Sequence, residues 1–252
     1  MPEYEKPENL KTEYIKSEYV NQKYVKPEYV NQEYVNQEYV NQEYVKPDEI
    51  EKRSFEIIRS ELDRPLDPLV APVVMRVIHT TADFEYADTL AFSEGVIERA
   101  AAALRQGVSI VSDTSMVRAG VDKTRLAAFG GDILCFMQDE DVAEMAKRHG
   151  TTRAKAAVDK AAAMGKPFIF AVGNAPTALL RICELKEAGR LSPVLVIGVP
   201  VGFVNVVESK EALMRSGIPY ITARGRKGGS NVAAAICNAL MRIAEADLKR
   251  NL

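Results

Sequence analysis

Histidine is scarce in this chain, with two in 252 residues, His79 and His149. The three cysteines, Cys135, Cys183 and Cys237, are odd in number and far apart. No closely spaced pair is available for a protein-built zinc centre or a disulfide framework, so no metal site is expected. Their apolar surroundings fit reduced core residues of a cytoplasmic protein. Long hydrophobic runs are also missing: none reaches the roughly 18 residues of a membrane span. The longest, 193–204, is interrupted by Gly198, Pro200 and Gly202. The polar N-terminus lacks the apolar core of a signal peptide, so no membrane association is expected. Neither charge sign dominates, since the formal net charge is −2. That balance gives no support for nucleic-acid binding. The patterns GxGxxG after a first strand, Walker A, HExxH and GxSxG are absent. No serine sits in an elbow beside a histidine, which leaves acyl transfer without a nucleophile.

What is present begins with a five-residue repeat. From Glu13 the chain reads EYIKS, EYVNQ, KYVKP, EYVNQ, EYVNQ, EYVNQ and EYVKP, after two degenerate copies, and this segment holds eight of the ten tyrosines. Five residues advance a helix by about 500°, so the Tyr-Val pair drifts around the axis. On a strand an odd period sends the pair to alternate faces. Neither element gains a consistent buried side, and residues 1–47 are expected to be a disordered tail. It reads either as a tether for an unknown partner or as a neutrally expanded repeat. Residues 1–49 carry a balance of −5, which leaves +3 on the remainder and makes the body mildly receptive to an anionic ligand. Pro47-Asp48 marks the boundary of a second domain, 48–252, with Asp48 able to cap a helix that carries Ser54 in its middle.

The body alternates strand and helix six times. The β-branched run Val73 to Ile78 reads as a first buried strand, ending on His79. Further strands are expected at 108–111, 132–137, 167–172, 194–197 and 219–222. Helices are expected at 94–106, 139–148, 152–164, 177–188, 207–216 and 230–248. This pattern predicts an α/β fold of three layers, α/β/α, with a mostly parallel, doubly wound sheet. Right-handed crossovers then gather the carboxyl ends of the strands on one side, where ligands bind in such sheets. Found there are His79, Asp113 with Thr114 and Met116, Gln138, Asn174 with Thr177, Gly202, and the segment Arg224 to Ser230. In that segment the glycines, Gly228 among them, let backbone approach a ligand, and Arg224, Arg226 and Lys227 flank the start of a helix. A solvated basic loop and a histidine that merely caps a strand are the plainer readings. One proton-active histidine facing donors and cations suits acid-catalysed rearrangement of a polyanionic organic molecule.

Seven ordered segments carry a family resemblance: IEKRSFEIIRSE (50–61), RVIHTTAD (76–83), the run 90–117, GTTRAKAA (150–157), VGNAPTALLRI (172–182), LVIGVPVGFVNVVESK (195–210) and RGRKGGSNVAAAICNAL (224–240). From about Asp48 to Ile243 the sequence resembles the precorrin-8X methylmutases of corrinoid (vitamin B12) biosynthesis, cobalt-precorrin-8 forms included. The resemblance implies a homodimer with the site near the subunit interface, a tetrapyrrole substrate, and no redox or nucleotide cofactor. It implies a methyl shift from C-11 to C-12 of the macrocycle, with His79 as the acid. Ser54 and Arg153 match positions near the macrocycle, and Arg76 and Ser230 fall within matching segments. The family's threonine after strand two falls near Asp122-Lys123, a departure. A non-catalytic corrinoid carrier on the same fold, or a scaffold built around the repeat, are the competing readings.

Overall fold

The computed structural model describes Lys46 and residues 49–250. The repeat segment and the Asp48 cap therefore lie outside the described residues. The first helix, α1 (Ile50–Glu61), follows Glu49, which makes no side-chain cap bond. Next comes α2 (Ala71–Thr81), where a first parallel strand ending on His79 was expected. Correcting that expectation, Val73, Val74, Val77 and Ile78 form a helical stripe that is almost fully buried, and Arg76, His79 and Thr80 take the opposite face. A buried apolar run has no periodicity that separates strand from helix, and Pro72 opens the first turn, where its fixed φ favours a helix.

The short α3 (Tyr86–Thr89) leads into β1 (Leu90–Phe92), then α4 (Val96–Arg105) and β2 (Ser109–Ser112). Two small helices, α5 (Ser115–Gly120) and α6 (Lys123–Ala128), precede β3 (Ile133–Leu134) and α7 (Glu140–Arg148). They replace the expected direct passage into strand three, because Thr114 and Asp122 each cap a helix by accepting from the N–H three residues on. Helix α8 (Arg153–Ala163) starts at Thr152, whose hydroxyl accepts from the Lys155 N–H. The chain closes with β4 (Phe168–Val172), α9 (Pro176–Glu187), β5 (Leu195–Gly198), α10 (Val206–Arg215), β6 (Tyr220–Ala223) and α11 (Ser230–Arg250).

The strands form one sheet in the order β1-β6-β5-β4-β2-β3, parallel throughout except for β1, which runs antiparallel to β6. Alternate side chains of β4 enter different cores. Ile169 and Ala171 join α1, α2, α4 and α11, whereas Phe168, Phe170 and Val172 join α8, α9 and α10. That alternation is the α/β/α layering. The succession of strands reverses direction between β2 and β4, where an open α/β sheet ordinarily leaves a crevice. Here the crevice is filled by protein. A Cβ on Gly173 would lie 2.7 Å from the Cα of Ser230, so the start of α11 rests directly on the end of β4. Asp113, which is buried, accepts from the N–H groups of Gly173, Asn174 and Ala175 at 2.7–2.9 Å. Burial pushes its carboxyl above the usual range, against the pull of those amides.

Candidate active site

The end of α2 carries His79, the histidine singled out in the sequence. His79 is exposed, its ring centroid 5.3 Å from that of Phe55 on α1, with the planes tilted by 35°. The Arg76 guanidinium carbon lies 4.6 Å from the same Phe55 ring. Arg76 also donates to the Glu51 carboxylate at 2.6 Å, and Arg242 of α11 approaches that carboxylate at 3.5 Å. The Arg76 hydrogen bond holds the Glu51 carboxyl below its ordinary range, with Arg242 and His79 adding smaller electrostatic pulls. Glu51, Ser54, Phe55 and Ile58 share one face of α1 by helical spacing. Ser54 donates its hydroxyl proton to the Ile50 carbonyl at 2.8 Å, which leaves the oxygen able to accept.

Two surface depressions flank this cluster. One, of about 450 Å³, is lined by Glu51, Lys52, Phe55, Glu56 and Arg59. The other, of about 300 Å³, lies between α2, α6 and α11, with Arg76, Thr80, Asp122, Arg125, Asn231 and Arg242 in its lining. Asp122 thus sits in a depression shared with Arg76, although its carboxylate is already held by the Arg125 N–H and guanidinium.

The loop from β6 to α11 adjoins the same end of α2. Lys227 bonds to Asp83 at 2.6 Å and Glu85 at 2.7 Å, and these two carboxylates hold its ammonium well above the usual range. Its charge is therefore compensated, while Arg224 and Arg226 are exposed and Arg226 lies 5.4 Å from the Phe203 ring. Gly228 has φ +157°, and a Cβ there would meet the Val199 carbonyl oxygen at 2.2 Å. Ser230 shares a 3.0 Å hydrogen bond with Thr114, joining the start of α11 to that of α5. Met116, two residues after Thr114, is 72% exposed.

Arg153, Asn174, Thr177 and His149 remain. Thr177 of α9 pairs with Thr152 at 3.1 Å, beside exposed Arg153, on the helical layer opposite α2. Asn174 is exposed, but its backbone N–H is committed to Asp113. His149 ends α7 and takes no part in the His79 cluster. Among the described residues no cluster of His, Cys, Asp and Glu could hold a metal ion, and no helix is long and apolar enough to cross a membrane.

The sequence model of the precorrin-8X methylmutase family matches residues 49–243. The chain belongs to that family. It is thereby an enzyme, an isomerase of the methylmutase type. A cobalt-precorrin-8 methylmutase of Priestia megaterium is 45% identical over 200 residues, covering 79% of this chain and 89% of its own. Its counterpart in Salmonella typhimurium is 47% identical over 204 residues, covering 77% and 94%. The crystal structure of a precorrin-8x methyl mutase from Thermus thermophilus superposes with a TM-score of 0.75 at 42% identity, covering 79% of this chain and 97% of that one.

Sequence reasoning passed over three members of the cluster around His79 and Arg76 that the structure brings forward: Glu51, Phe55 and Arg242. The spacing of Glu51, Ser54 and Phe55 on one helix held the signal for the first two. Arg242 is brought in by the packing of α11 on α2, for which the linear sequence carries no sign.

Proposed function

We propose that this methylmutase moves the methyl group from C-11 to C-12 of precorrin-8X or its cobalt counterpart, giving hydrogenobyrinate or cobyrinate. The imidazolium of His79 gives a proton to ring C of the macrocycle, the C-11–methyl bond breaks as the C-12–methyl bond forms, and the proton returns. The observation that carries this reading is the placing of His79: its ring is open to solvent yet packed on Phe55, within reach of the Arg76–Glu51 pair. An imidazole exchanges protons near neutral pH, and an intramolecular shift requires no protein nucleophile. The acetate and propionate groups of the macrocycle suit Arg224 and Arg226. Purified protein would be incubated separately with methyl-labelled precorrin-8X and cobalt-precorrin-8, and the label located by NMR. A bound macrocycle with its methyl still on C-11 would identify a carrier and remove the catalytic reading. Comparing the two substrates decides which form is used.

The methylmutase is further proposed to act as a cytoplasmic homodimer with the site near the interface. Support comes from the segment after β5, where Phe203 is 82% and Val204 78% exposed beside Val201. Contiguous exposed apolar groups mark interaction surfaces. Neither depression encloses a tetrapyrrole, as a pocket that buries most of its ligand must. Sedimentation would give a monomer if the reading is wrong.

Two expectations follow for charge and for the tail. Arg224→Ala with Arg226→Ala should weaken hydrogenobyrinate binding about tenfold and flatten its salt dependence, whereas Lys227→Ala should act mainly by freeing Asp83 and Glu85. Titration at two salt concentrations checks it, and unchanged affinity would make the loop a solvated basic surface. Residues 1–47 are proposed to be a separate tail dispensable for turnover. Their deletion should leave kcat/KM within about twofold, because attraction between tail and body is screened beyond about 8 Å at physiological ionic strength.

A further inference from the structure

Among the described residues Lys210 is the one buried cation, 1% exposed in the middle of α10. No carboxylate accompanies it there. Its ammonium instead donates to two backbone carbonyls of the β6–α11 loop, Gly225 at 2.9 Å and Lys227 at 2.7 Å. The carbonyl between them, that of Arg226, accepts from the Gly202 N–H at 3.2 Å. Three consecutive carbonyls of this loop are thus taken up by donors from two other segments. Burying an ammonium without a counter-ion is costly, and burial pulls Lys210 down to about 8.

The consequence follows from peptide geometry. In a planar trans peptide the C=O and the next N–H point in opposite directions, and the described residues contain no cis bond. With the carbonyls of 225 and 227 both held by the Lys210 ammonium, the N–H groups of Arg226 and Gly228 are directed away from it, while the Arg226 carbonyl between them is taken by Gly202. Two amides facing away from one ammonium can accept an anion between them, and here the exposed Arg224 and Arg226 flank them. The loop cannot readily turn over. Gly229 donates to the Val199 carbonyl at 2.8 Å, and Gly228 lies against the same carbonyl.

We propose that Lys210 is a positioning residue for substrate binding: by holding the Gly225 and Lys227 carbonyls it presents the amides of 226 and 228 to a carboxylate of the substrate. This rests on the methylmutase reading above, in which the substrate is a polycarboxylate. Lys210 touches no substrate atom and takes no part in the proton transfer by His79.

The test compares Lys210→Met, which keeps the apolar stem and loses the donor, with Lys210→Arg, which keeps charge and donors. For Lys210→Met, KM and the hydrogenobyrinate dissociation constant should each rise about tenfold, with kcat changed less than about threefold. Lys210→Arg should recover part of the affinity. Folded Lys210→Met with unaltered KM and unaltered product affinity would overturn the proposal, as would a fall confined to kcat. Should Lys210→Met fail to fold, amide hydrogen exchange on the full wild-type chain decides. Hydrogenobyrinate should protect the amides of 226 and 228, and unchanged exchange there overturns the proposal. Wild-type turnover in the same assay keeps the two readings apart. A wild type that binds hydrogenobyrinate without moving the methyl sinks the isomerase reading and leaves the titration as the test of Lys210.

Discussion

His79→Ala is expected to lose methyl transfer by about 10²–10⁴-fold, the usual worth of a positioned general acid. The fold should survive. His79 occupies the exposed face of α2, and the residues that hold α2 in place, Val73, Val74, Val77 and Ile78, are untouched. The variant should therefore unfold within about 0.5 kcal/mol of the parent, as surface substitutions usually do. Product affinity should fall far less than the rate, since loss of the proton donor acts on the chemical step. His149→Ala is the matched control, because that residue only ends α7. Single-turnover rates for both variants, measured beside urea unfolding, check the expectation. Equal rates in the two would remove His79 as the donor, and a joint loss of rate and stability would show a structural histidine.

Gly228→Ala should be the most damaging small substitution in the loop. The added carbon would sit 2.2 Å from a backbone oxygen, at φ +157°, and no flexible side-chain end is available to yield. Either the 225–229 segment leaves Val199 or the strand-end segment after β5 shifts. A cost of about 2–4 kcal/mol is expected, in the range of overpacking combined with backbone strain. Substrate affinity should fall as well, since the same segment carries the carbonyls held by Lys210. Gly225→Ala provides the comparison. Its φ of +75° strains an alanine, yet nothing lies within 4 Å of the added carbon, so about 1 kcal/mol is expected. Urea denaturation and product titration on both variants check this, and equal costs would show that conformational preference alone, not close approach, fixes glycine at 228.

The four inner strands were legible almost to the residue. Runs at 108–111, 167–172, 194–197 and 219–222 became β2, β4, β5 and β6 with shifts of one residue, because parallel strands covered on both faces are continuous apolar runs between turn residues. The same criterion misread Val73 to Ile78, which is equally apolar but pairs with α11 across a helical stripe. Strand β1 escaped notice since three residues, Leu90 to Phe92, show no period of their own. Strand β3 was expected over 132–137 but pairs only at Ile133 and Leu134. At the site, the family resemblance singled out Ser54, Arg76 and His79, which lie on two helices that pack together. It could not show that Lys227 is neutralised by Asp83 and Glu85, nor that Lys210 is buried, because both depend on chain segments brought close only by folding. In the linear sequence Lys210 stands among Glu208, Ser209 and Glu211 and looks like an ordinary solvated residue.

The brevity of β1 and β3 also governs how copies of this chain can meet. These are the two outermost strands, three and two residues long, and β1 runs against its neighbour. An outer strand recruits another chain by offering a row of unpaired N–H and C=O groups, and so short a row gives almost no template for strand addition or amyloid-like stacking. Association by extending the sheet from one subunit into the next is thereby disfavoured. A dimer of this chain would meet through side chains on loops and helices, and its assembly would be governed by residues such as Phe203 and Val204 and be nearly indifferent to backbone changes in Leu90–Phe92.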